Sequence, residues 1–194
     1  HADHTPAYQY LKRVLRFLQW QKKQSGQQGE RWVLKAPEHL GHVTTILKIF
    51  PDATILQSHR DPLQTIPSIS SMIYSAWCAY TDNPDKHRVG AVWCERFRNF
   101  LHRCMEARKT LPAEHFLDLR YKETLHDPFH AVQQVYAHIG MAFTEDAKQK
   151  MAEWREANRR EAREAHHYTL EEYGFSEEEI KHSFSAYRQQ YLLD

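Results

Sequence analysis

The sequence is poor in several features that would assign a chain to a class at once. It has no excess of either charge: 26 Lys and Arg against 25 Asp and Glu leave a formal net charge of +1. A chain that grips nucleic acid is usually strongly basic, so nucleic acid is not an expected partner, and any bound anion must be held by a few local groups. Glycine is scarce, with six residues, and no Gly-x-x-x-x-Gly-Lys-Ser/Thr loop of the kind that cradles nucleotide phosphates occurs. No run of about 18 apolar residues is present, so no helix is expected to span a bilayer, and no secretory signal pattern is seen. Three cysteines, Cys78, Cys94 and Cys104, make no disulfide framework. Unpaired thiols fit a reducing compartment, and the cytoplasm is the expected location. The 14 histidines are scattered, with no zinc-ligand spacing beside cysteines; the adjacent His166 and His167 diverge on a helix. No metal is expected. An initiating Met is also lacking. The opening His1-Ala2-Asp3-His4 reads as a fragment, a processed product or the ordered part of something longer.

What is present is enough for one globular domain over residues 1–194: 41% of residues are hydrophobic and 12% aromatic. Helical periodicity runs from Pro6 to Gln24 and ends at Ser25-Gly26-Gln27-Gln28-Gly29. Trp32-Val33-Leu34-Lys35 reads as a short buried strand, His39 to Phe50 as a helix, and Ala53 to Gln57 as a second strand. Asp61-Pro62 is a helix start, the acid capping and the proline taking the first helical position. The helix it opens, Leu63 to Tyr80, contains Pro67, expected to break the hydrogen-bond ladder beside Ser68. A long helix follows from His87 to Arg108, a third strand from His115 to Leu119, and a short helix from Ala131 to Ile139. A charged helix begins at Thr144 and runs to Ala165. Ser176 and Glu179 form a capping box for a last helix that reaches Tyr191. Strands alternating with helices predict an α/β fold: helix-rich, three-layered and P-loop-like, around a central parallel sheet. Three strands make a thin sheet for that plan.

In open parallel sheets, ligands bind beyond the carboxyl ends of the strands. Two loops hold that position here, Lys35-Ala36-Pro37-Glu38-His39 and Ser58-His59-Arg60-Asp61-Pro62. Together they offer Lys, Glu, His and Arg, a mixture suited to chemistry on an anionic group. Arg60 stands just before a capped helix whose free N–H groups and partial positive charge favour an anion, and a guanidinium there completes a phosphate or sulfate pocket. The plainer alternative pairs Arg60 with Asp61 or a nearby carboxylate and leaves Ser68 on a helix surface.

Lys35-Ala36-Pro37-Glu38-His39-Leu40, Phe50-Pro51-Asp52-Ala53 and His59-Arg60-Asp61-Pro62 with Ser68 together resemble the sulfotransferase family, in particular its microbial branch. The similarity continues through Leu119-Arg120-Tyr121-Lys122-Glu123 with His126-Asp127-Pro128, and through His167-Tyr168-Thr169-Leu170-Glu171 to Gly174. The resemblance implies transfer of a sulfuryl group from 3′-phosphoadenosine 5′-phosphosulfate to a small-molecule or lipid acceptor bearing a hydroxyl or an amine. It assigns the donor's 3′-phosphate to Arg60 and Ser68, and the adenine to Tyr121. It makes His39 the general base, with Glu38 as the other candidate, and puts Lys35 beside the transferring sulfonate. Apart from the resemblance, His39 can serve merely to open a helix, Lys35 to reach solvent and Tyr121 to pack as core.

Two of the family's features are absent from the sequence. The Gly/Ser/Thr-rich loop for the 5′-phosphosulfate belongs ahead of the helix at Pro6, so the 194 residues are expected to be the C-terminal two-thirds or so of a sulfotransferase domain. The late basic-glycine loop is not visible either, and Arg159, Arg160 and Arg163 are weak substitutes for it. Met72, Tyr74, Trp77, Tyr80 and Trp93 read as core before they read as an acceptor pocket. His59, facing away from Arg60, reads as structural. The competing functions are a P-loop kinase-like nucleotide enzyme and a catalytically degenerate nucleotide-binding relative. Nothing in the sequence sets an oligomeric state.

Overall fold

The structure is a computed structural model describing residues 3–27, 29, 31–159 and 167–193. It divides into two compact units, His1–Ile55 with Asn99–His115, and Leu56–Arg98 with Phe116–Asp194.

In the first unit, α1 (Thr5–Gln24) starts with a proline in its first turn and closes with Lys22 and Lys23, where positive charge meets the negative end of the helix dipole. Gly26, at φ 74°, turns the chain away in the left-handed conformation that glycine adopts freely. A 3₁₀ turn over Pro37–His42 leads into α2 (Val43–Ile49). Lys12 of α1 ties the two helices together: its Nζ donates to the Ile49 carbonyl at 2.6 Å and lies over the Phe50 ring. An exposed carbonyl at a helix end is thereby given a cationic donor. Tyr8, Leu15, Val43, Leu47, Leu101 and Cys104 are buried in this unit. Gly41 is there because nothing larger fits, since a Cβ would stand 2.6 Å from Cδ1 of Phe100.

The second unit carries β1 (Ile55–His59, its first residue counted with the first unit) and β2 (Phe116–Arg120), paired as a small parallel sheet. Alternation along β1 turns Gln57 and His59 inward. As the Asp61-Pro62 signal predicts, Asp61 caps α3 (Pro62–Trp77), its Oδ1 accepting from the Leu63 N–H at 3.0 Å. The same logic operates at Asp127 ahead of α6 (Pro128–His138), at Thr144 ahead of α7 (Glu145–Ala157), and in the Ser176–Glu179 capping box of α8 (Glu177–Ser183). A long α4 (Lys86–Arg108), whose residues from Asn99 on count with the first unit, buries Val89 and brings Gly90 against Tyr173 of the 3₁₀ turn Glu171–Tyr173. α5 (Tyr121–His126) springs directly from β2, and α9 (Ser185–Tyr191) follows α8 after a break at Phe184.

The α/β class holds, and most predicted elements stand within a few residues of their expected bounds. Four expectations need correction. Trp32–Lys35 is not a strand: residues 31–36 have no regular structure and Val33 is 90% exposed. An apolar run becomes a buried strand only where a neighbouring strand takes its backbone groups, and no described residue does. The described sheet therefore has two strands rather than three. Pro67 does not break α3, which continues ten residues beyond it to Trp77; the helix tolerates the lost N–H because Pro67 is buried and held by packing. The aromatic stripe is not core: Met72 is 58% and Tyr80 90% exposed, and Tyr74, Trp77 and Trp93 are only half-buried. Finally, the last helix is two helices, parted at Phe184. The helix predicted from Thr144 to Ala165 ends at Ala157, with Asn158 at its C-cap; residues 160–166, Arg160 and Arg163 among them, lie outside the described residues.

Candidate functional site

Within the first unit, the predicted catalytic residues sit on and before the Pro37–His42 turn. Lys35 is exposed in the irregular segment, and Glu38 is exposed on the turn. His39 is half-buried, and its Nδ1 lies 2.9 Å from the hydroxyl of Tyr8 on α1. Tyr8 is itself buried at 8% exposure. The ring of His42 lies 6.0 Å from that of Tyr8 and 4.1 Å from that of His4. Burial pushes the His39 imidazole below the ordinary histidine pKa, and the nearby Glu38 carboxylate pulls partly back. His42 is lowered too, first by burial and then by the positive charge of its neighbours. Burial, with Glu38 adding to it, raises the Tyr8 hydroxyl to about 12. Tyr8 is thus a neutral phenol and His39 a neutral imidazole near pH 7, the resting state a general base requires.

Within the second unit, Arg60 leaves the end of β1 at the N-terminus of α3. Its Nε donates to Oε1 of Gln64 at 3.1 Å, one turn into the helix. Its guanidinium lies 4.6 Å from the centre of the Tyr121 ring. Ser68 is four residues beyond Gln64, on the same helix face. Arg60 and Tyr121, chosen separately from the sequence, are therefore in contact. The edge and one face of the guanidinium are fixed, and no described residue bonds its two terminal nitrogens. That is the pose of a preset anion ligand.

Arg60 does not pair with Asp61. The second carboxylate oxygen of Asp61 accepts from Nη2 of Arg188 on α9 at 3.1 Å. Beside Arg188, the Tyr187 hydroxyl stands 3.1 Å from Nδ1 of His59, the residue before Arg60. Nε2 of His59 is 2.8 Å from Oδ1 of Asp118 on β2, and the Tyr191 ring stacks on the imidazole at 4.2 Å. His59 is 2% exposed, in keeping with the structural role expected of it. Asp118 requires a proton on Nε2, so Nδ1 is the acceptor for the Tyr187 O–H. The donors then run in one direction, from Tyr187 to His59 to Asp118. Tyr8, Tyr187, Arg188 and Asp118 escape the sequence reading because their partners lie far along the chain, 127 residues away for Arg188 and Asp61.

Among the described residues, no group of three or more His, Cys, Asp or Glu could hold a metal ion. No described helix is long and apolar enough to cross a membrane.

Comparison with known proteins gives a consistent result. A family model described as the sulfotransferase family matches residues 1–146. The omega-hydroxy-beta-dihydromenaquinone-9 sulfotransferase Stf3 of Mycobacterium bovis is 23% identical over 110 residues, which are 56% of this chain and 28% of that protein. The crystal structure of sulfotransferase STF9 from Mycobacterium avium superposes with a TM-score of 0.86 at 27% identity, covering 100% of this chain and 48% of that one. Sulfotransferase STF1 from Mycobacterium tuberculosis H37Rv gives 0.65 at 25% identity, covering 81% and 40%. The chain thus spans less than half the length of each of these relatives.

Proposed function

The chain belongs to the sulfotransferase family, and from that premise we propose that it carries the 3′-phosphate half of a site for 3′-phosphoadenosine 5′-phosphosulfate, together with the general base for sulfuryl transfer. The carrying observation is the pose of Arg60, fixed by Gln64 and Tyr121 at the start of α3 with its terminal nitrogens directed to no described partner. In this reading those nitrogens and the Ser68 hydroxyl receive the phosphate, at the positive end of the α3 dipole. Tyr121, as the platform under Arg60, borders the adenine.

Transfer of a sulfuryl group resembles phosphoryl transfer, an in-line displacement through a loose transition state in which the protein mainly positions and neutralises. His39 takes the proton of the acceptor at Nε2 as the acceptor oxygen attacks sulfur and the bond to the donor's bridging oxygen breaks. For Nε2 to be basic, Nδ1 must carry the proton and donate to the Tyr8 oxygen. Lys35, extended and exposed, supplies positive charge to the sulfonate oxygens. Glu38, exposed on the same turn, is the alternative base. The acceptor in this reading is a hydroxyl on a small molecule or a lipid. A lipid is favoured by the omega-hydroxy-beta-dihydromenaquinone-9 for which the Stf3 relative is named and by the open apolar side chains of Met72 and Tyr80.

The test is a titration with adenosine 3′,5′-bisphosphate and with AMP. The chain is expected to prefer the bisphosphate, and Arg60→Ala to lose about tenfold or more of that affinity, as for a charge-assisted contact of about 1.5–3 kcal/mol. Equal affinity for the two nucleotides would refute the reading. A P-loop kinase-like enzyme would need a divalent metal, so activity of the complete protein that survives chelation separates the two.

A further inference from the structure

Arg60 and Asp61 are adjacent opposite charges, and a free Asp61 carboxylate would be the nearest competitor for any anion approaching Arg60. Both of its oxygens are occupied elsewhere, Oδ1 by the Leu63 N–H and Oδ2 by Arg188. The Arg188 side chain is only 16% exposed and that of Asp61 26%, so the pair is shielded from water and from salt. The neighbouring Tyr187 binds Nδ1 of His59, the residue before Arg60, and Asp118 fixes that imidazole from its other side. Two successive residues of α9 thus hold the two residues that flank Arg60.

We infer that Arg188 and Tyr187 are positioning residues for the anion site: Arg188 sequesters Asp61 so that Arg60 stays available to the donor's phosphate, and Tyr187 sets the main chain from which Arg60 projects. This rests on the reading of Arg60 as the ligand of the 3′-phosphate. It also gives the late part of the chain a role in that site by a route other than a basic loop. Arg188 holds the competing carboxylate and need not touch the nucleotide.

A double-mutant cycle on the full chain tests it, with adenosine 3′,5′-bisphosphate and AMP as probes and the melting temperature as control. Arg188→Ala frees Asp61 to capture Arg60, and bisphosphate affinity should fall about tenfold with AMP little changed. Asp61→Asn keeps the helix cap, because Asn caps as well as Asp, and should bind as the parent does. Combining the two should restore affinity, since no carboxylate remains to compete. Arg188→Lys should retain most of it, and Tyr187→Phe should lose bisphosphate affinity several-fold while keeping its ring and packing. A double variant as weak as Arg188→Ala overturns the role given to Arg188. Full bisphosphate affinity in a folded Tyr187→Phe overturns the role given to Tyr187. If Arg188→Ala fails to fold, the comparison of Asp61→Asn/Arg188→Met with Arg188→Met decides in the same way. If the parent chain itself does not distinguish bisphosphate from AMP, the donor reading has failed and this inference falls with it. Preference by the parent, lost in Arg60→Ala but unaffected in every α9 variant, rejects the inference alone.

Discussion

The Tyr8 hydroxyl lies 2.9 Å from Nδ1 of His39, across 31 residues of sequence and between two different elements of the first unit. A buried phenol that binds one ring nitrogen decides what the other can do. As an acceptor from Nδ1–H it leaves a lone pair on Nε2; as a donor it does the reverse.

Tyr8→Phe should therefore lower turnover of the complete enzyme by an order of magnitude or so while leaving bisphosphate binding unchanged, because only the tautomer preference is lost. His39→Ala should cost far more, about 10²–10⁴-fold. Single-turnover kinetics beside the nucleotide titration separate the two effects. Full activity in His39→Ala would transfer the role of base to Glu38.

The acid limb of kcat/KM should lie below pH 6.5, because burial lowers the His39 pKa. Glu38→Gln removes the charge that partly offsets burial, so the limb should move to still lower pH. The same shifts act on stability. His39 and His42 are both depressed in the folded state, so the unfolded chain binds their protons first, and stability falls as pH drops from about 6.5 through the folded pKa values. A melting temperature measured against pH should flatten over that window in a His39→Gln/His42→Gln variant. An unchanged slope would place the dependence on other groups.

Tyr121→Phe should keep bisphosphate affinity, whereas Tyr121→Leu should lose about 0.5–2 kcal/mol of it. The cation–π contact needs the ring face and not the hydroxyl. A loss in the Phe variant would mean that the hydroxyl itself meets the nucleotide.

Gly90→Ala should be among the most destabilising single-methyl changes in the chain. A Cβ there would stand 2.5 Å from the Tyr173 carbonyl oxygen and 2.9 Å from its Cβ, and that backbone cannot swing aside as a side-chain tip can. Overpacking of this kind costs about 1–3 kcal/mol, measurable by urea unfolding. Gly140→Ala makes a useful contrast, since nothing stands within 4 Å of it and only its positive φ opposes the change.

Local signals in the sequence are reliable wherever the physics is local. Asp61-Pro62, Thr144 and Ser176 with Glu179 each cap the helix they announce, because a cap is made within four residues. Arg60 and Tyr121 are recognisable through the family resemblance, and they do meet in space. Trp32–Leu34 misleads because a strand is defined by its neighbour, which a run of apolar residues does not contain. Met72 and Tyr80 mislead for a related reason: hydrophobicity does not say which face of α3 is covered at Met72, nor that the turn after the helix leaves Tyr80 in solvent. Tyr8, Tyr187 and Arg188 carry no motif, and each gains its meaning from a partner brought close only by folding. The same is true of the freedom of Arg60 from Asp61, where adjacency in sequence points to the wrong ion pair.

Asp61 and Arg188 are separated by 127 positions in the sequence, so their pairing also has an order in time. During synthesis the β1–α3 turn leaves the ribosome long before α9 exists, and in that interval the second oxygen of Asp61 has no Arg188 to hold it. A nascent chain stalled ahead of Tyr187 would carry the turn with that carboxylate oxygen still open.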